Sequence, residues 1–218
     1  MAEQPANDFV PAAPELWTYD ALSFLLSGTR RWRPVLLAQV NPSPGDVIAD
    51  VGCGTGTQLR LMARACASTT LIGIDPDAAI RERARAKLAR TTPRVELLAG
   101  YARDTAGLLR GRGVTKALSS LVFHQVPLEE KRAGLAAIHD ALQPGGGLHV
   151  ADYGLQRTAK MRKRFRLVQR GDGFENTEPN AQGVLPELMA DVGFSDIAET
   201  QVFESMSGSI SIYRAVRQ

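Results

Sequence analysis

The apolar segment Val47-Ile-Ala-Asp-Val51 runs straight into Gly52-Cys-Gly-Thr-Gly56, and then into a stretch with Leu59, Met62, Ala63 and Cys66 on one helical stripe. A short buried strand, a glycine turn and an amphipathic helix in that order make half of a βαβ unit. The pattern then repeats. Thr70 to Ile74 reads as a strand, and Asp75-Pro76-Asp77 opens a helix carrying Ile80, Ala84 and Leu88 on one face. Val95 to Ala99 and Lys116 to Phe123 read as the third and fourth strands. Pro127 then starts a helix (Leu135, Ile138, Leu142) that ends at Gln143-Pro-Gly-Gly-Gly147, and Leu148 to Asp152 is the fifth strand. Strands and helices alternating at this length predict right-handed crossovers and an α/β, Rossmann-like, doubly wound parallel sheet.

Both ends depart from the alternation. Residues 15–40 read as helix with a break at Gly28, stopped by Asn41-Pro-Ser-Pro-Gly45. Gly183 to Val192 reads as helix, and Asp196 to Phe203 and Ser209 to Val216 as two strands joined by a short turn. That hairpin predicts an antiparallel edge on an otherwise parallel sheet.

With 218 residues, the chain fits one domain. Its parts are a helical lid region over 1–45, a ligand-binding core over 46–154, a basic covering segment over 155–182, and a helix with hairpin over 183–218. No apolar run approaches the roughly 18 residues of a membrane span. Residues 1–14 have neither the basic start nor the apolar core of a signal peptide, so the expectation is a soluble, cytoplasmic protein. Two cysteines, Cys53 and Cys66, match no disulfide framework or zinc spacing, so no metal is expected.

The glycines at 52, 54 and 56 space as G-x-G-x-G, with Thr57 where a dinucleotide fingerprint has its third glycine. Asp50 stands at the strand end just before them. A carboxylate there repels a diphosphate and attracts a cation. Asp75 ends the second strand, 19 residues beyond Gly56, where it can accept from ribose hydroxyls; it could equally cap the following helix.

These segments resemble the motifs of class I S-adenosylmethionine-dependent methyltransferases. Val47 to Gly56 is similar to the first motif and Gly73-Ile-Asp-Pro-Asp77 to the second. Ser120-Leu-Val-Phe-His-Gln-Val-Pro127 and Leu142-Gln-Pro-Gly-Gly-Gly147 are similar to later motifs of the small-molecule branch. The resemblance implies S-adenosylmethionine as cofactor. Asp50 would face the methionine ammonium, Gly52, Cys53, Gly54 and Gly56 would shape the pocket, and Asp75 with Pro76 would hold the ribose. Tyr101 and Ala102 fall where the family contacts adenine, in place of its common acidic residue, and Leu121 and Val122 would complete the cofactor wall. Tyr19-Asp-Ala-Leu-Ser-Phe-Leu-Leu-Ser-Gly-Thr-Arg-Arg-Trp-Arg33 resembles the entry helices of ubiquinone/menaquinone C-methyltransferases and phospholipid N-methyltransferases. By that resemblance Tyr19 and Trp32 are lid residues, with core packing the alternative for Trp32.

On the acceptor side, His124 follows the fourth strand at the glycine-loop edge, where a group titrating near neutrality can act as general base. Phe123 and Tyr153 join it as substrate or lid residues. The Asn/Asp-Pro-Pro-aromatic signature of nucleic-acid and protein amino-methyltransferases is absent, and only 6% of residues are aromatic, which argues against a base-flipping enzyme. The expected partner is a small molecule, such as a lipophilic quinone precursor or a phospholipid.

Residues 157–170 hold seven Lys or Arg and no acid, with Met161, Phe165 and Val168 at helical spacing. A chain of net charge +3 is therefore a body of net −4 bearing one segment of +7. Such a helix fits either peripheral contact with an anionic membrane or a solvated face. Asp172-Gly-Phe-Glu-Asn176 reads as a flexible turn beyond it. The sequence alone also leaves open a non-catalytic methyltransferase-like binding module, or an NAD-dependent oxidoreductase, and does not fix the oligomeric state.

Overall fold

The computed structural model describes residues 27–218. Seven strands among them form one sheet in the order β3-β2-β1-β4-β5-β7-β6. The strands are β1 (Val47–Val51), β2 (Thr70–Asp75), β3 (Val95–Ala99), β4 (Val114–Ser120), β5 (Leu142–Tyr153), β6 (Phe194–Ser205) and β7 (Gly208–Arg217). The first five pair in parallel, and β7 inserts antiparallel between β5 and β6. Chain order reverses between β1 and β4, the switch point at which an open α/β sheet binds its ligand.

Successive side chains point to opposite faces, and both faces are buried. Ile48, Leu71, Ala151, Ile210 and Ile212 pack under α1 (Thr29–Val40), α2 (Thr57–Ala65), α3 (Ala78–Leu88) and α6 (Ala159–Asp172). Ala49, Ile72, Leu148, Val150 and Tyr213 pack under α5 (Leu128–Ala141) and α8 (Leu185–Asp191), with the short α4 (Thr105–Leu108) at the margin. Trp32 is fully buried in the first cluster, with its indole N–H donating to Ser27 O at 3.1 Å, so it has the core role.

Several boundaries differ from the sequence expectation. β4 stops at Ser120 because Leu121 turns left-handed (φ 57°), and Phe123–Gln125 form a 3-10 turn. The Gln143 to Gly147 segment is not a turn before β5. It belongs to the strand, whose register against β4 shifts between Val114 and Lys116, with Gly145 at φ 78°. Asp172 to Asn176 is not a flexible turn: Asp172 ends α6, Gly173 bends the chain, and α7 (Phe174–Ala181) starts at once. Gly28 caps α1 in a left-handed conformation, as the expected break requires; the rest of the 15–40 helix expectation, Tyr19 included, lies outside the described residues. Among the described residues, no helix is long and apolar enough to cross a membrane.

Candidate cofactor and acceptor site

Gly52 N and Cys53 N both donate to Ile74 O (2.8 and 3.0 Å), which folds the glycine loop back across the end of β2. The glycines of this loop have separate duties. Gly52 has φ 73°, and a Cβ there would sit 2.2 Å from Val122 Cγ2, so this glycine admits the loop that follows β4. Gly54 is also left-handed (φ 52°), yet a Cβ on it would meet nothing within 4 Å among the described residues. Close packing against protein does not explain it. A backbone left open at the switch point is where a ligand can approach. The Lys87 ammonium steadies the loop by donating to Thr55 Oγ1 and Thr57 Oγ1 at 2.6 and 3.0 Å.

Asp50 is 1% exposed, and neither carboxylate oxygen has a hydrogen-bond partner among the described residues. Burial pushes its pKa up to about 7, making it a weaker acid; the nearby Arg33 charge opposes this and Asp75 adds to it. A buried carboxyl left without partners is costly unless a ligand completes it. An amine cation is the complementary group. Asp75 is 7% exposed and is raised chiefly by burial, opposed by two backbone donors: Gly54 N to Oδ2 (2.9 Å) and Asp77 N to Oδ1 (3.0 Å). The helix cap is Asp77, whose Oδ1 accepts from Ile80 N at 2.9 Å, so Asp75 is spared for the loop. A carboxylate has about four acceptor sites, which leaves Asp75 capacity for a ligand's hydroxyls. Pro76 lies between the two. Buried Cys53 packs in the core, where burial raises its thiol.

After β3, Tyr101 N donates to Asp104 Oδ2 (2.8 Å) and the Arg103 guanidinium stacks on the Tyr101 ring (4.5 Å), while Ala102 packs toward α5. The acidic residue of this region is therefore present at 104, turned to local capping.

The loop after β4 is held from beneath by Asp152, which sequence reasoning did not single out. Its Oδ2 accepts from Val122 N (3.0 Å) and Phe123 N (2.8 Å), and its Oδ1 accepts from Tyr153 N and faces His124 Nδ1, both at 2.7 Å. On the other side, His124 Nε2 is 3.4 Å from Asp172 Oδ2 at the end of α6. His124 is buried, which lowers its basicity, but the two carboxyl groups outweigh burial and lift it to about 9. The two carboxyl groups thus hold His124 toward its protonated form, above the titration near neutrality expected from the sequence.

A second residue missed in the sequence is Lys131 on α5, fully buried. Its ammonium donates to Phe123 O, to Val126 O (2.6 Å) and to Asn176 O on α7 (2.8 Å). Asn176 Nδ2 in turn donates to Gln125 O at 3.0 Å. Helices α6 and α7 are thus fastened to the loop after β4. Phe123 and Tyr153 are buried supports of this arrangement: Tyr153 OH pairs with Ser207 Oγ (2.7 Å), and its ring packs edge-on to His124 (4.8 Å).

Residues 48–146 match a family described as Methyltransferase domain. An uncharacterized methyltransferase of Oceanobacillus iheyensis is 31% identical over 111 residues, covering 51% of this chain and 48% of its own length. A demethylmenaquinone methyltransferase of Renibacterium salmoninarum is 26% identical over 99% of this chain and 93% of its own. The crystal structure of a putative methyltransferase from Bacillus halodurans superposes with a TM-score of 0.70 at 14% identity, over 85% of this chain and 98% of that one, a likeness of fold. The chain thus spans about half of the first relative and nearly all of the second.

Residues 48–146, just under half of the chain, match a methyltransferase domain, and the sheet order and glycine loop support an S-adenosylmethionine-dependent methyltransferase. Its cofactor is S-adenosylmethionine, and the unpartnered Asp50 carboxyl beside the open face of Gly54 fits that molecule's ammonium end.

Proposed function

We propose that the protein methylates a small lipophilic acceptor, a quinone precursor or a phospholipid, using S-adenosylmethionine. The observation that carries the donor half is the Asp50 carboxyl, buried without a partner at the sheet's switch point. Asp50 receives the donor's ammonium, Gly54 lets its chain pass close to the backbone, and Asp75 accepts from the ribose. Leu121 and Val122 flank it on one side, and Tyr101 and Ala102 meet the adenine. When bound, the cofactor supplies a methyl group made electrophilic by its sulfonium. The chain's own contribution is to position the acceptor in line and to exclude water.

His124 is held toward its protonated form by two carboxyl groups, which favours a positioning role over proton abstraction from the acceptor. It acts as a positioning residue that ties the Val122–Gln125 loop to Asp152 below and Asp172 above. The lipophilic acceptor is supported by the relative aligned along nearly the whole chain, which is named for demethylmenaquinone, and by the resemblance of residues 19–33 to quinone and phospholipid methyltransferase entry helices.

The test is incubation of the protein and methyl-labelled cofactor with a lipid and metabolite extract, read by mass spectrometry. Label in an organic-soluble quinone or phospholipid is expected. Label confined to water-soluble metabolites overturns the acceptor reading, and no label with cofactor bound overturns the enzymatic one.

A further inference from the structure

Helix α6 is fastened to the protein by one face only. Met161 and Phe165 are buried, Thr158 caps the helix through Met161 N (3.1 Å), and Arg164 donates to Ser205 O in the β6–β7 turn at 2.8 Å. At about 100° per residue, the exposed Arg162, Lys163, Arg166, Leu167 and Arg170 fall on an arc of roughly 140° opposite that face. The side chains of Lys160, Arg162, Lys163, Arg166 and Arg170 make no ion pair or hydrogen bond among the described residues. Elsewhere several cations are paired with acids, as in Lys116 with Asp46 and Arg132 with Asp191, and those left unpaired are not gathered on one helix face with exposed apolar side chains.

The apolar surface concentrates at the same place. The three most exposed large apolar side chains among the described residues are Met206 (63%), Phe174 (61%) and Leu167 (49%). Leu167 lies among the cations, Phe174 opens α7 directly beyond α6, and Met206 is in the turn that Arg164 holds against the helix. A merely solvated helix needs no exposed Leu and Phe. A nucleic-acid groove would need cations and stacking rings, not Leu and Met. Unpaired cations interspersed with protruding aliphatic and aromatic side chains match an anionic bilayer surface, where charge attracts and apolar side chains enter the headgroup boundary.

We propose that the outer face of α6, with Phe174 and Met206, docks the protein reversibly on an anionic lipid surface. The inference deepens the lipophilic-acceptor reading and rests on it only for its purpose: α6 and α7 border the loop after β4, so docking would bring that edge of the fold to the phase in which such an acceptor dissolves.

The experiment is co-sedimentation of the full chain with vesicles of phosphatidylglycerol and phosphatidylcholine in equal parts, and with phosphatidylcholine alone. Each cation near an anionic leaflet contributes about a fivefold gain in partitioning. Binding to the mixed vesicles only is expected, with a loss of more than about 100-fold in Arg162→Glu/Lys163→Glu/Arg166→Glu. Leu167→Ser/Phe174→Ser, which leaves the charge unchanged, should lose about tenfold or more. Thermal unfolding confirms that both variants fold. Equal binding of wild type and charge-reversed protein overturns the proposal. So does binding that a short DNA duplex abolishes and that ignores the Leu167/Phe174 change. Sedimentation needs no methyl transfer, so its failure is distinct from failure of the acceptor reading.

Discussion

His124 Nδ1 lies 2.7 Å from Asp152 Oδ1, and neither side chain reaches solvent. The pair fixes a charge where the sequence suggests a titrating base. His124 rises from 6.5 in the unfolded chain to about 9 in the fold, because Asp152 and Asp172 outweigh burial. A group whose folded value is raised adds stability that is fully present below about pH 6.5 and is lost as pH rises through about 9. Wild-type stability should therefore fall by about 3 kcal/mol over that window. Denaturant unfolding across it should show the slope, and His124→Gln should flatten it. An equal slope in both proteins would remove His124 as its cause.

Asp50 gives a linkage of the same sign from the opposite cause: the fold favours its neutral form, so stability again falls as pH rises. Its folded value of about 7 exceeds its unfolded value of 3.8, so its ionisation opposes folding progressively between those values. A cationic ligand that needs the ionised form should bind about tenfold more tightly per pH unit up to about pH 7, then level off. Titration with S-adenosylhomocysteine across that range should show the rise in wild type. In Asp50→Asn affinity should drop about 100-fold or more and lose its pH dependence, with no loss of apo stability, since the unpartnered charge is gone. An unchanged affinity in this variant would show that the ammonium is held elsewhere.

The two left-handed glycines of the loop should separate fold from binding. In Gly52→Ala the new methyl collides with Val122, so thermal unfolding should fall, by an amount corresponding to about 2 kcal/mol or more. Gly54→Ala meets no atom of the described residues and should cost only about 1 kcal/mol of backbone strain while strongly weakening cofactor binding. The reverse pattern would mean that the open side of Gly54 does not face the ligand.

The sheet was legible because it rests on local signals. Val47 to Gly56 and Thr70 to Asp77 carry period, turn and cap within a dozen residues, and the short glycine-containing turn between the last two strands revealed the antiparallel edge. Asp50 and Asp75 were legible as positions for the same reason, standing at the carboxyl ends of the neighbouring strands β1 and β2. The network around His124 was not, since Asp152, Lys131, Asp172 and Asn176 converge from β5, α5, α6 and α7. Lys131 looks like any solvated helix lysine until Phe123, Val126 and Asn176 place carbonyls around it. Helix α7 was hidden by its polar sequence and Pro179, and β5 was read short because Gly145 to Gly147 look like a turn until β4 pairs with them.

Lys131→Met should be strongly destabilising despite adding an apolar side chain to a buried site. It leaves Phe123 O, Val126 O and Asn176 O without their shared donor, each worth about 1 kcal/mol or more. Because these carbonyls join the loop to α7, hydrogen exchange should speed up first in residues 122–126 and 174–181. Uniform loosening would indicate ordinary core damage instead.

Asp50, Gly54 and Asp75 are expected to form one cofactor site. Calorimetric titration of the folded wild-type protein with S-adenosylhomocysteine measures it most directly. One molecule should bind per chain, with thermal stabilisation of about 2.7 kcal/mol at a hundredfold excess over Kd. Absence of heat and of any thermal shift in folded protein, or tighter binding of NADH at the same site, would contradict this expectation.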